Sequence, residues 1–189
     1  MGAALPRIFV AGLGNITHPA TRHSLGQVIV DSLAARLGIT MSSSMGGRAG
    51  DADVRLGDNL VSVTLYKSNS LMNVSGPSIA RALRKIVPQS NPPTALILIH
   101  DSLSHRPCTL SPRLGGSANG HNGIKSVISA LGGQADFYRL RAGIGRGEGD
   151  VANYVLGRLS SYEKQYWGVN GEGIEQALNE IAKIARGQL

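Results

Sequence analysis

His23 closes the triplet Thr21-Arg22-His23 at the start of a helical stretch. An imidazole in the first turn of a helix faces the positive end of the macrodipole, which favours the neutral ring. A general base must be neutral to accept a proton. His100-Asp101 ends a long apolar run, and a carboxylate at the carboxyl end of a strand can orient a histidine, as in hydrolase triads generally. Both have plainer readings, His23 as a surface or capping residue and Asp101 as a loop cap. Met72-Asn73 precedes a second helical stretch and is followed by Ser75-Gly76. An asparagine there can also serve simply as an N-cap.

Residues 114 to 123, Leu-Gly-Gly-Ser-Ala-Asn-Gly-His-Asn-Gly, form a glycine-rich loop running into a helix N-terminus. Such loops turn backbone N–H groups toward an anion or oxyanion, and this one also delivers His121 and Asn122. Its plainer reading is a flexible loop with a helix cap. Gly12-Leu13-Gly14-Asn15 follows an apolar strand and invites a dinucleotide reading. The third glycine of that fingerprint would fall at Thr17, and His18-Pro19 keeps a helix from opening on the turn. No cofactor is expected, and the turn is read as presenting the amide of Asn15. No histidine pair has ligand spacing with a carboxylate and there is no second cysteine, so no metal is expected. Arg139, Arg141 and Gly143 alternate with Leu140, Ala142 and Ile144, placing two arginines on one strand face. They could meet phosphate, or the segment could be an edge strand with solvated arginines.

The elements that must position these groups follow from periodicity. Ile8-Phe9-Val10-Ala11 is a buried strand within residues 7 to 13, and Ala95 to Ile99 is a second, whose unbroken apolar run suits a sheet covered on both faces. Leu25, Val28, Ile29, Leu33 and Leu37 recur at helical spacing within a helix from Arg22 to Leu37, stopped by Gly38. Met41 to Asp53 is read as a Ser/Gly loop. Val54–Leu56 and Leu60–Leu65 are hairpin strands about Gly57-Asp58-Asn59. Helices are predicted over Val74–Ile86, closed by Pro88, and over His121–Leu131, Val151–Leu156 and Gly171–Arg186. Tyr138–Ile144 is a strand, and residues 102 to 119 are a polar loop or short-strand region. Alternating strands and helices predict an α/β fold: one domain over 1–189, a three-layer sandwich with a mixed, mostly parallel central sheet flanked by helices. Chemistry in such folds sits at the carboxyl ends of the strands, where Asn15 and Asp101 fall.

Composition narrows the partners. The chain has 189 residues, 42% of them hydrophobic, enough for a buried core. A formal net charge of +7 favours an acidic partner such as nucleic acid. Aromatics make up only 4%, which argues against binding carried mainly by base stacking. One cysteine, Cys108, permits no intramolecular disulfide and fits a reducing compartment. No apolar run approaches the ~18 residues of a membrane span, residues 1 to 7 are too short for a secretory signal, and a monomer is expected.

Taken in order, Gly-Leu-Gly-Asn, Thr-Arg-His, Met-Asn-x-Ser-Gly, His-Asp, Leu-Gly-Gly-x-x-x-Gly-His-Asn-Gly and Arg-Leu-Arg-x-Gly-Ile-Gly resemble the bacterial-type peptidyl-tRNA hydrolase family over roughly residues 8 to 160. The resemblance implies a metal-independent esterase that frees the peptide from the 3′-terminal ribose of peptidyl-tRNA. His23 then matches the catalytic base and Asp101 the carboxylate that orients it. Asn15, Asn73 and Asn122 match the asparagines that position carbonyls and water, Asn73 being the donor to the developing oxyanion. His121 matches a substrate-contacting histidine, and Met72 lines the cleft floor. Arg113 and Arg141 match a basic pair for a terminal phosphate of the tRNA.

The chain departs from the family pattern in places. His18 stands at a tyrosine position in a shortened turn, Ser24 where asparagine follows the histidine, Ser102 where glutamate follows the aspartate, and Ala118 in place of a loop histidine. The compact turn and the Gly-Gly-Ser-Ala-Asn-Gly loop are closer to eukaryotic members, which implies a cytoplasmic or mitochondrial location. Three other readings stand beside the hydrolase: an RNA-binding module, as in splicing-factor relatives on this fold; a hydrolase of another acylated small molecule; and a nucleotide-cofactor enzyme, which fails at Thr17.

Overall fold

A strand of alternating large apolar residues can feed two cores at once, and β1 (Arg7–Gly12) does so. Ile8 and Val10 enter one apolar cluster and Phe9 and Ala11 the other. In the computed structural model, which describes residues 5–86 and 96–187, β1 lies at the middle of a seven-stranded sheet of order β2-β3-β4-β1-β5-β7-β6. Here β2 is Ser42–Ser44, β3 Gly47–Leu56, β4 Asn59–Ser68, β5 Leu96–Ser102, β6 Leu110–Leu114 and β7 Tyr138–Gly143. The central strands β4, β1, β5 and β7 run parallel, while β2–β3, β3–β4 and β6–β7 pair antiparallel. The sheet is therefore mixed, with its parallel pairings confined to the centre.

Helices cover both faces. The first core packs α1 (Leu25–Leu37) and α6 (Glu172–Ala185) on one side; α2 (Gly76–Ile86) and α3 (Asn122–Ala130) enclose the second. This is the α/β sandwich expected. Gly38 ends α1 in the left-handed region at φ 67°, as its position predicted. The helix expected from Arg22 opens instead with a 3₁₀ turn over Arg22–Ser24. Two short helices, α4 (Val151–Leu156) and α5 (Ser161–Tyr166), follow β7. None of the described helices is long and apolar enough to cross a membrane.

Some expectations need correction. Residues 41–53 are not a loop: they supply β2 and most of β3. A Cβ on Gly47 would lie 2.3 Å from the Lys67 carbonyl oxygen and 2.7 Å from the Tyr66 hydroxyl, so glycine there reflects close packing rather than a break. Asn59 begins β4 instead of closing the turn. β7 is no edge strand but is paired on both sides, by β5 and β6. Ala95 and Pro88, expected at a strand start and a helix end, lie outside the described residues.

The carboxyl ends of β1, β4 and β5 meet where α1 begins. A Cβ on Gly26 would sit 2.2 Å from the Ile99 carbonyl oxygen, and one on Gly12 2.3 Å from that of Gly26. Only glycine lets the first turns of α1 approach β1 and β5 so closely. That approach brings the 3₁₀ turn carrying His23 beside the His100-Asp101 end of β5.

Candidate active site

His23 and Asp101 come from different elements and meet. The His23 Nδ1 lies 3.1 and 3.0 Å from the two carboxylate oxygens of Asp101, so Nδ1–H donates and Nε2 is left as a free base. His121 Nε2 reaches Asp101 Oδ1 at 2.9 Å. Its Nδ1 accepts from the backbone N–H groups of Gly123 and Ile124, which makes His121 the N-cap of α3. These bonds fix the His121 tautomer, with its proton on Nε2. Burial alone would raise the Asp101 carboxyl. His121, then His23, both donating to it, outweigh burial and hold the group well below the usual carboxylate range.

The backbone under Asp101 is held by its neighbour. His100 Nδ1 donates to the Asp101 carbonyl at 2.7 Å. Burial, then the His121 ring, pushes His100 down to about 3, so this ring is neutral. His100 and His121 stack edge to face with centroids 4.8 Å apart.

A cavity of about 790 Å³ opens over this cluster, within the usual size for a small-ligand site. Every site residue expected from the sequence lines it: Asn15, His18, His23, Met72, Asn73, Asp101, Arg113, His121, Asn122 and Arg141. Asn15 Oδ1 accepts from the Met72 N–H at 2.8 Å, which leaves the NH₂ end of that amide for the cavity. Met72 is buried beneath it, and Asn73, in the 3₁₀ turn before α2, is exposed to it. Asn122, the first residue of α3, is exposed as well. His18 sits at the rim with Nδ1 2.9 Å from the Thr17 hydroxyl. His121 faces the cavity, but both its ring nitrogens are engaged within the protein.

Part of the cavity wall is basic. Arg113 and Arg141 lie on β6 and β7, and Arg141 bonds the Ser111 hydroxyl at 2.8 Å. Burial, then Arg113, lowers the Arg141 pKa. His23, Asp101 and His121 also present metal-type donor atoms within 4.8 Å of one another. In this arrangement both rings donate to the shared carboxylate.

Two contributors were not legible as such. Ser24, noted only as a departure, is buried and accepts from Asn15 N at 2.9 Å while donating to the His18 carbonyl at 2.8 Å. It thereby fastens the turn that carries both residues. Arg139, expected with Arg141 to meet phosphate or solvent, does neither here: it is 2% exposed and its terminal nitrogens bond the Ser117 and Gly115 carbonyls. The strand alternation showed which face it takes, but no sequence signal shows that this face is closed over.

An imidazole whose Nδ1 donates to a buried carboxylate, in a cavity lined with amides, at the carboxyl ends of the parallel central strands, is the donor set of a hydrolytic site on an α/β fold. The family model described as peptidyl-tRNA hydrolase matches residues 9–188. The chain is 39% identical over 160 residues to a peptidyl-tRNA hydrolase of Mycobacteroides abscessus, covering 82% of this chain and 79% of that protein. It is 40% identical over 164 residues to a probable peptidyl-tRNA hydrolase of Mus musculus, covering 84% and 77%. The crystal structure of peptidyl-tRNA hydrolase from Acinetobacter baumannii superposes with a TM-score of 0.80 at 29% identity, covering 99% of this chain and 93% of that one. The chain belongs to the peptidyl-tRNA hydrolase family and is an enzyme of the hydrolase class.

Proposed function

We propose that the chain, acting as one domain over 1–189 and as a monomer, hydrolyses the ester joining a peptide, or an N-blocked amino acid, to the 3′-terminal ribose of tRNA. The observation that carries this reading is the His23 Nδ1–Asp101 bond, which leaves Nε2 as the free nitrogen of a ring lining a cavity that also holds Asn15, Asn73, Asn122, Arg113 and Arg141. Nε2 removes a proton from water as the oxygen attacks the ester carbonyl. The Asn73 amide donates to the developing oxyanion. As the intermediate collapses, the C–O bond to the ribose breaks and the leaving 3′-oxygen takes the proton back from the imidazolium. General-base help supplies ~10²–10⁴-fold and one oxyanion donor ~10²–10³-fold. An activated ester needs no more than this, so no metal or cofactor is assigned.

The free NH₂ of Asn15 and the amide of Asn122 are assigned to the main-chain carbonyls of the peptide. Because they read the backbone, any peptide sequence is accepted. Met72 forms the floor, and His121 holds Asp101 from beneath the substrate. His18 offers a ring face at the rim for the 3′-terminal base. Arg113 and Arg141 are assigned to a terminal phosphate, within a net charge of +7 that supplies salt-sensitive tRNA affinity. A single cysteine fits a cytoplasmic or mitochondrial setting.

The test is to offer the purified protein two substrates on the same tRNA, an N-acetylated aminoacyl group and a free one. Release of the blocked group, with the free one spared for want of a second carbonyl, is the expected result. Cleavage of neither, with salt-sensitive tRNA binding intact, would overturn the hydrolase reading in favour of an RNA-binding module.

A further inference from the structure

Arg139 is a buried cation with no carboxylate partner among the described residues. Such a group is expensive to keep unless its N–H groups are satisfied. Its two terminal nitrogens donate to the carbonyl oxygens of Ser117, at 2.8 Å, and of Gly115, while its buried Nε–H has no partner among the described residues. Both carbonyls belong to the glycine-rich loop between β6 and α3. Apart from Arg139, the loop is held by the Gly115 N–H to the Phe137 carbonyl at 3.0 Å, the Ser117 hydroxyl to the Asn119 amide oxygen at 2.6 Å and the His121 N–H to the Ala118 carbonyl at 2.9 Å; Gly115, Gly116, Asn119 and Gly120 all have positive φ, a region glycine enters freely. Its far end is His121, the cap of α3 and the second donor to Asp101.

Arg139 also lies directly opposite Arg113 in the β6–β7 register. The Arg113 guanidinium covers the other side of the loop, so that a Cβ on Gly116, at φ +89°, would fall 2.5 Å from its Nη2. Burial, then Arg113 and Arg141, lowers the Arg139 pKa, as expected of a cation placed among others.

We infer that Arg139 is a positioning residue: by gripping the Gly115 and Ser117 carbonyls it sets the glycine-rich loop, and through it places His121 against Asp101 and Asn122 in the cavity. Arg139 touches neither water nor ester; it acts through the loop. The kinetic consequence rests on the hydrolase reading above, whereas the structural one does not.

The test uses Arg139→Gln and Arg139→Lys in the full chain, with three readouts. Hydrolysis of N-acetyl-aminoacyl-tRNA gives kcat and KM separately, and tRNA affinity is measured directly. Proton NMR follows the His121 Nε2–H, which is hydrogen-bonded to the buried Asp101 carboxylate. For Arg139→Gln we expect kcat to fall roughly tenfold to a hundredfold, the scale of a misplaced catalytic group, with KM and tRNA affinity within about threefold. The His121 proton signal should broaden or vanish. Arg139→Lys, which keeps the charge and can still reach one carbonyl, should recover part of both losses. A rise in KM with kcat preserved would make Arg139 a substrate ligand and overturn the inference, as would unchanged kinetics with an intact His121 signal. Should the wild type prove inert toward the ester, the hydrolase reading fails and the NMR arm alone decides: loss of the signal in folded Arg139→Gln upholds the positioning role, and its persistence refutes it. If Arg139→Gln does not fold, Arg139→Lys carries the same comparison.

Discussion

Asp101→Asn keeps the side chain's shape and exchanges one acceptor oxygen for a donor, so its effect can be worked from the hydrogen bonds alone. Asp101 accepts from His23 Nδ1 at 3.0 Å and from His121 Nε2 at 2.9 Å. An asparagine keeps an oxygen near both N–H groups, at 2.9 Å from His121 Nε2 and 3.1 Å from His23 Nδ1, but puts an NH₂ at the other position, 3.0 Å from the His23 Nδ1–H, where two donors would face each other. His121 cannot yield, because its Nδ1 is already accepting from Gly123 and Ile124 and its proton must stay on Nε2. The new oxygen therefore goes to His121 and the new NH₂ to His23. To accept that NH₂, His23 must move its proton to Nε2, the atom that should receive a proton from water. The base is lost through its tautomer, with little change in shape. The expected fall in kcat is about 10³–10⁴-fold, equal to about 4–5 kcal/mol of activation free energy. Single-turnover release of N-acetyl amino acid from tRNA measures it, with tRNA affinity expected to stay within about twofold of wild type. A loss smaller than about tenfold, or an equal loss of binding, would rule out the tautomer change as the cause.

Other consequences are as specific. Removing Arg113 or Arg141 should weaken tRNA binding and lower the slope of log affinity against log salt by about 1 each, leaving kcat at saturation nearly unchanged; titrations at several salt concentrations check this. His100 is neutral when folded, with a pKa of about 3, and titrates near 6.5 when unfolded. The unfolded chain thus binds the extra proton between about pH 3 and 6.5, and this group costs stability as pH falls through that window, by about 1.4 kcal/mol per unit. Urea unfolding at pH 7 and 5 should show a drop that His100→Asn reduces. Asp101, whose folded pKa is also depressed, likewise loses stability as pH falls, but as a carboxylate that stabilises the fold in its charged form. Its stabilisation is complete above the unfolded value near 4 and is lost only as pH falls below that. Gly26→Ala should destabilise by at least about 1–3 kcal/mol, because the new Cβ would stand 2.2 Å from the Ile99 carbonyl oxygen; thermal unfolding reads it out.

What the sequence made legible were features dictated by local pattern. The 3.6-residue spacing of Leu25, Ile29 and Leu33 drew α1, and the unbroken apolar run ending at Ile99 drew β5. The family motifs marked every cavity residue named in advance. What stayed hidden depends on tertiary contact. Gly47 and Gly50 read as loop residues, although in β3 they face the Lys67 and Thr40 carbonyls at distances no side chain could share. α5 carried a readable signal that went unused, the Ser160-x-x-Glu163 capping box. Arg139 looks like any alternating strand arginine until β6 and the glycine-rich loop close over it. The joining of His121 to Asp101 likewise needs the fold, because 20 residues separate them along the chain.

His23 is the residue whose removal tests the hydrolysis most directly. Release of N-acetyl amino acid from charged tRNA should proceed with the wild type and fall to background with His23→Ala, while the variant still binds tRNA with wild-type affinity. Turnover by His23→Ala at a rate near that of the wild type would contradict the assignment of this ring as the base.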